Sequence, residues 1–168
     1  MALQMVLKIE GIYGESKSYQ YKGWSEVLSW NWGMTSNRKS TQGIEGDKTS
    51  LNELSVIKPI GVDSGSIRLL FAQGKKIPSV QFVVTPVVGK REAPMKYVNI
   101  VMEDVVIKGI VTSGNTDDNF FKEHITFLYD RVSFECSRAA QESGDSTEDN
   151  VDVNDFGWNV ADNQQWQR

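Results

Sequence analysis

Histidine and cysteine are scarce in this sequence, which has one of each among 168 residues. The lone cysteine, Cys136, excludes an internal disulfide. No basic partner is marked beside it to activate a thiol, so it reads as a small buried apolar residue. Long hydrophobic runs are also missing. No window approaches the roughly 20 apolar residues of a membrane helix, so the chain is not expected to insert into a membrane by itself. The opening residues lack a basic leader, and Gln4 and Lys8 break their apolar run, so a Sec signal peptide is not expected. Synthesis and folding in the cytosol are expected, with any export by a route other than a cleaved signal. Basic charge is not in excess either. Eighteen Lys and Arg stand against 22 Asp and Glu, giving a net charge of −4. General nucleic-acid or anionic-membrane binding uses basic surface and is disfavoured.

Catalytic motifs are equally thin. Gly43-Ile44-Glu45-Gly46-Asp47-Lys48-Thr49 faintly suggests a phosphate loop, but Asp47 precedes the lysine and would repel phosphate, and the glycine spacing is wrong. Ser36 to Lys39 and Ser55 to Lys58 carry the serine–lysine spacing of β-lactamases without the companion motifs or a helix start. Asp117 and Asp118 are adjacent acids on a loop, with no calcium-ligand series around them. His124 has no partner marked by a motif. The sequence also lacks a nucleophile elbow, zinc ligands and a dinucleotide loop. No catalytic residue, cofactor or metal site is assigned.

Strand patterns fill most of the chain. A central stretch runs from Lys22 to Gly33. Leu28, Trp30 and Trp32 share one parity, so they should share a core-facing side. Trp30 and Trp32 are the expected core anchors, while Ser29 and Asn31 point the other way. Earlier, Met5, Leu7 and Ile9 alternate in a first strand, and Tyr19 and Tyr21 suggest a short extended piece. Thr35 to Lys48 reads as a long polar loop, of a length often used for function. A strand over Leu51–Lys58 stops at Pro59 and Gly61.

The one clear helix signal follows. Asp63 or Ser64 can cap it, Ile67, Leu70 and Phe71 lie on one face, and Gly74 stops it. Val80, Phe82, Val84, Pro86 and Val88 alternate next, followed by a charged turn over Gly89–Pro94. Val98 to Met102 and Val105 to Val111 read as two strands, with Gly109 a possible bend. Thr112 to Asn119 is a loop. Ile125, Phe127 and Tyr129 change parity with Val132 and Phe134, which predicts a bulge or break near Asp130 and Arg131. A polar stretch, about 137–154, precedes a returning strand, about 156–161. Many strands, one helix and short turns define an all-β class, a barrel or sandwich. The length suits one domain over 1–168.

Three stretches carry a resemblance: Gly14-Glu15-Ser16-Lys17, Val27-Leu28-Ser29-Trp30-Asn31-Trp32-Gly33-Met34, and Gly157-Trp158-Asn159-Val160-Ala161-Asp162-Asn163. Between them lie Leu54 to Lys58, Ala72 to Ile77 and Met102 to Val105. In this order they resemble the Hcp family, the tube proteins of the bacterial type VI secretion system. The resemblance implies a compact β-barrel of two packed antiparallel sheets with one short flanking helix. It also implies hexameric rings that stack inside a contractile sheath, meet spike-tip proteins and carry effector proteins in the lumen. Asn31 becomes a candidate for the channel wall. No further domain is expected after Trp166, so a plain tube subunit is expected, cytoplasmic when assembled and secreted by the machinery. A phage tail tube or another contractile injection particle, and a carbohydrate-binding β-sandwich that uses its tryptophans, are the alternatives.

Overall fold

The computed structural model describes residues 2–36, 41, 49–87, 96–137 and 153–168. Eleven strands and one helix occupy them. They are β1 (Leu3–Ile9), β2 (Ser25–Glu26), β3 (Ser29–Asn31), β4 (Met34–Ser36), β5 (Thr49–Leu51), β6 (Leu54–Pro59), α1 (Ser64–Ala72), β7 (Ile77–Pro86), β8 (Val98–Ser113), β9 (Lys122–Ser137), β10 (Val153–Asn159) and β11 (Gln164–Gln165). Nine strands form one antiparallel sheet in the order β11-β10-β9-β8-β7-β1-β2, and β3 joins it through β6, which pairs with β9. β4 and β5 make a separate two-stranded ribbon.

The sheet closes on itself at Val27–Leu28. The Val27 N–H donates to the Met5 carbonyl on β1, and the Leu28 N–H donates to the Ile57 carbonyl on β6. One short segment therefore bridges the two sides of a barrel, which removes the exposed edge there. The expected continuous strand across the tryptophans is split at this crossover. Val27 turns into the core and Leu28 is left 39% exposed, so Leu28 does not share the tryptophans' environment.

The core is built from alternating side chains of five strands. Leu7, Ile9, Leu54, Val56, Val80, Phe82, Ile100, Met102, Ile125 and Phe127 are almost wholly buried in one cluster. Val6 and Val83, of opposite parity, are also buried, under Tyr21 of the loop that wraps the outer side. Tyr19 and Tyr21 form no strand. Tyr19 is exposed, and Tyr21 packs edge-on against Trp24.

β8 is one 16-residue strand rather than two. β9 is likewise continuous over 16 residues, with no break at Asp130 and Arg131. The buried parity changes at the same level on both strands, where Asp104 takes φ 53, and the pairing register holds. A bend therefore carries both phases of side chains into one core. The register shift falls instead between Ile107 and Gly109 of β8, where glycine was expected to bend the chain.

Other boundaries move. Thr35 and Ser36 belong to β4, and Thr112 and Ser113 to β8. A break at Asn52–Glu53 separates β5 from β6. Cys136 is half-buried, on a strand next to β10, rather than fully enclosed. The returning C-terminal strand is present, paired to β9 with Phe156 opposite Phe134. The expected charged turn over 89–94 lies outside the described residues, as do most of the polar loops over 35–48 and 137–154.

The helix ends as its sequence predicts. The Gly74 N–H bonds the Phe71 carbonyl and the Lys75 N–H the Leu70 carbonyl, with Gly74 at φ 61, a Schellman closure. Its start differs. Asp63 stands at the N-cap but makes no side-chain cap. Phe71, expected on the buried face, is 43% exposed.

Candidate functional site

The candidate site is the side of β3 and its neighbours that faces away from the core. β3 pairs with β6 so that Trp30 faces Val56 and Asn31 faces Ser55. β6 pairs in turn with β9, with Ser55 opposite Thr126, and Thr126 stands opposite Gly109 of β8. Asn31, Ser55, Thr126 and Gly109 thus form one row across four strands. The Ser55 and Thr126 hydroxyls lie 3.4 Å apart. Every member is small or polar because its sequence neighbours, Trp30, Leu54, Val56, Ile125 and Phe127, take the core side. Ser29 and Asn31 are exposed. His124, also exposed, sits on the next row opposite Ile57 and Val111. An ion pair flanks the row, with Lys108 Nζ 2.5 Å from Glu53 Oε1. Its hydrogen bond holds the Glu53 carboxyl below the usual value.

The tryptophans behind this face are held by aromatic and polar contacts. Trp30 tilts against Phe82 with ring centres 5.0 Å apart, and Trp32 stacks on Phe134 at 5.6 Å. Both are half-buried against the main cluster. Trp32 Nε1 donates to the Tyr129 hydroxyl at 2.6 Å, and that hydroxyl donates to the Asn52 carbonyl at 2.7 Å. Burial pushes the Tyr129 hydroxyl up to about 12, against the opposing hydrogen bond from Trp32. This relay ties Trp32, just past the end of β3, to β9 and pins the short link before β6.

A second constellation lies beneath the helix start, and sequence reasoning missed it. Lys58 is 2% exposed. Its ammonium donates to Pro59 O at 2.8 Å, Asp63 Oδ1 at 3.0 Å and Glu123 Oε1 at 2.7 Å. Glu123, wholly buried, also accepts from Ser64 Oγ at 2.8 Å and from Arg68 Nη1 at 2.7 Å. The Ser25 hydroxyl donates to the other Asp63 oxygen. Two cations and two carboxylates therefore balance each other, and each buried group is satisfied. Burial works to raise the Glu123 carboxyl, but hydrogen bonds from Lys58, Ser64 and Arg68 overcome it and hold the group below its ordinary 4.5.

This network explains why Asp63 leaves the helix N–H groups alone. Its carboxylate joins α1 to β2 and β6 instead. The signal available in the sequence was alternation: Leu54, Val56 and Lys58 share a parity, as do Glu123, Ile125 and Phe127. Among the described residues, no buried side-chain nitrogen or oxygen lacks a partner. The cluster is thus a satisfied strut. The serine–lysine pair of Ser55 and Lys58 is divided between the two sides of β6, Ser55 outward and Lys58 inward.

The fold is shared with type VI secretion proteins of known structure. One solved type six secretion system protein superposes with a TM-score of 0.83 over 98% of this chain and 100% of its own, at 22% identity, a likeness of fold. Hcp1 from Salmonella typhimurium matches at 27% identity with a TM-score of 0.74, covering 99% of this chain and 100% of that one. Protein hcp1 of Pseudomonas aeruginosa is 25% identical over 167 residues, which span 98% of this chain and 99% of that protein. The model of the family described as "Type VI secretion system effector, Hcp" matches residues 6–136. The chain belongs to the Hcp family of type VI secretion proteins.

Proposed function

We propose that this chain is the structural subunit of a type VI inner tube, with the whole of 1–168 acting as one Hcp-like domain. Six copies close into a ring around a wide channel. Rings stack inside the contractile sheath beneath the spike-tip proteins, and effector proteins travel in the lumen. The subunit works without a catalytic step, cofactor or nucleic acid. It assembles in the cytoplasm and leaves the cell with the fired tube.

The family match over residues 6–136 carries this reading. The polar row of Asn31, Ser55 and Thr126 supports it further. Small uncharged groups give a wettable wall that holds varied cargo weakly, and Asn31 is the residue assigned to face the channel. Trp30 and Trp32 serve as anchors behind that wall. With Phe82 and Phe134 against them, their rings are not free platforms for sugar.

Native mass by light scattering, followed by negative-stain microscopy, tests the proposal. Ring-shaped hexamers with a central hole are expected. A clean monomer across a wide concentration range would sink it.

A further inference from the structure

Among the described residues, exposed large apolar side chains gather at two places toward the ends of the barrel. The first is a groove of about 980 Å³ between the wrapping loop and β1–β2. The exposed apolar residues of its lining are Leu3, Tyr19, Leu28 and Val87, exposed by 57%, 74%, 39% and 59%. The second is the tip of the β8–β9 hairpin, where Phe120 and Phe121 are 47% and 56% exposed. The Ile60 N–H donates to the Phe121 carbonyl, so the end of β6 braces this tip. Large apolar side chains gathered at two places mark contact surfaces.

Topology separates the two. β1 and β8 flank β7 and run in the same direction, both antiparallel to it. Leu3 begins β1 and Val87 follows the end of β7, so the groove lies toward one end of the barrel. β8 ends and β9 begins at the other, where the tip stands.

Charge matches them. The groove carries Lys17, Lys22 and Glu26. The tip carries Asp117, Asp118 and Lys122, the last lying over the Phe120 ring. Two cations and an anion on the groove thus complement two anions and a cation on the tip. The tip is also shaped in advance, because the Asn115 side chain accepts from the Asp117 N–H and the Asp118 carboxylate accepts from the Asn115 N–H.

We infer that the hairpin tip, Asp117 to Lys122, seats in the Leu3–Tyr19–Leu28–Val87 groove of a second copy of this chain. The contact rests on the tube reading proposed above and names surfaces that build it. Tip and groove are different patches, so the contact is heterologous and repeats from copy to copy.

Cysteine pairs in a Cys136→Ser background test it. Asp118→Cys with Lys22→Cys, and Phe120→Cys with Tyr19→Cys, are oxidised in the assembled protein. Because each chain carries one partner of each surface, a ladder beyond the dimer is expected, and single-cysteine variants give none. Charge reversal supplies a second readout. Asp117→Lys with Asp118→Lys should weaken association about tenfold or more, and adding Lys17→Asp with Lys22→Asp should restore it. If rings or tubes form but neither pair gives a ladder and reversal leaves association unchanged, tip and groove do not meet, and the tube reading stands. If the unaltered chain is a monomer throughout, both fail together.

Discussion

Replacing Lys58 by methionine should destabilise the barrel by about 3 kcal/mol. The side chain keeps its length and apolar stem, so the change isolates the ammonium. That ammonium holds Asp63 and Glu123, both almost wholly out of water. Removing one partner of a buried ion pair typically costs about 3–5 kcal/mol, because the remaining charge stays buried. Here the lower value applies. Glu123 retains Ser64 and Arg68, and Asp63 retains Ser25. Against a total stability of about 5–15 kcal/mol this is a large fraction. Urea unfolding followed by tryptophan fluorescence reads it as a lower midpoint.

Adding Asp63→Asn to Lys58→Met should recover part of the loss, since Asp63, the carboxylate left without a cation, is then neutral while Glu123 keeps Arg68. The pH dependence gives an independent check. The Glu123 carboxyl is held below 4.5 in the fold, so its contribution is present above that value and is lost as pH falls through the native one. The gap between Lys58→Met and the unaltered protein should therefore narrow in acid. A single variant within about 0.5 kcal/mol of the parent, the size of an ordinary surface change, refutes the strut. So does a gap that stays constant into acid.

Four further outcomes are expected. Trp30→Ala should destabilise by about 3 kcal/mol, the low end for losing a large aromatic, because the ring is half-buried; an unchanged denaturation midpoint would remove it from the anchors. Tyr129 titrates at about 12 when folded instead of its ordinary 10.0, so its contribution is complete below 10 and lost as pH rises toward 12; the slope of stability in that window should flatten in Tyr129→Phe. A Cβ at Gly157 would stand 1.9 Å from the Trp166 carbonyl oxygen, so Gly157→Ala should release the C-terminal residues to protease while β9 stays protected. Asn31→Arg should leave folding within about 0.5 kcal/mol and the rings intact, yet abolish cargo retention in a pull-down; retained cargo would place Asn31 off the channel wall.

Much of this molecule was legible as alternation. Leu54 and Val56, Ile125 and Phe127, and Val80, Phe82 and Val84 alternate with residues of the opposite face, and each set enters the core. The helix stop at Gly74 was legible too, since only a residue free to take positive φ closes that turn cheaply. Leu28 was misread because parity assumes one uninterrupted strand. The crossover at Val27–Leu28 depends on partners more than 20 residues away in opposite directions along the chain, Met5 and Ile57. The bend at Asp104 is also non-local, for it appears as a parity change on β9 only because two strands bend together.

Period and turn chemistry are written into neighbouring residues, so a mainly β chain with one short helix follows from local sequence. Its ordered motifs also pointed to the Hcp family. Only the tertiary structure decided where the barrel closes and that Asn31, Ser55 and Thr126 form one row. It also decided that Lys58, Asp63, Arg68 and Glu123 neutralise one another inside. Those features join residues up to 95 positions apart, and their energies depend on distance and burial. A charge in a strand reads as a solvent-facing residue until the fold shows the opposite charges that surround it.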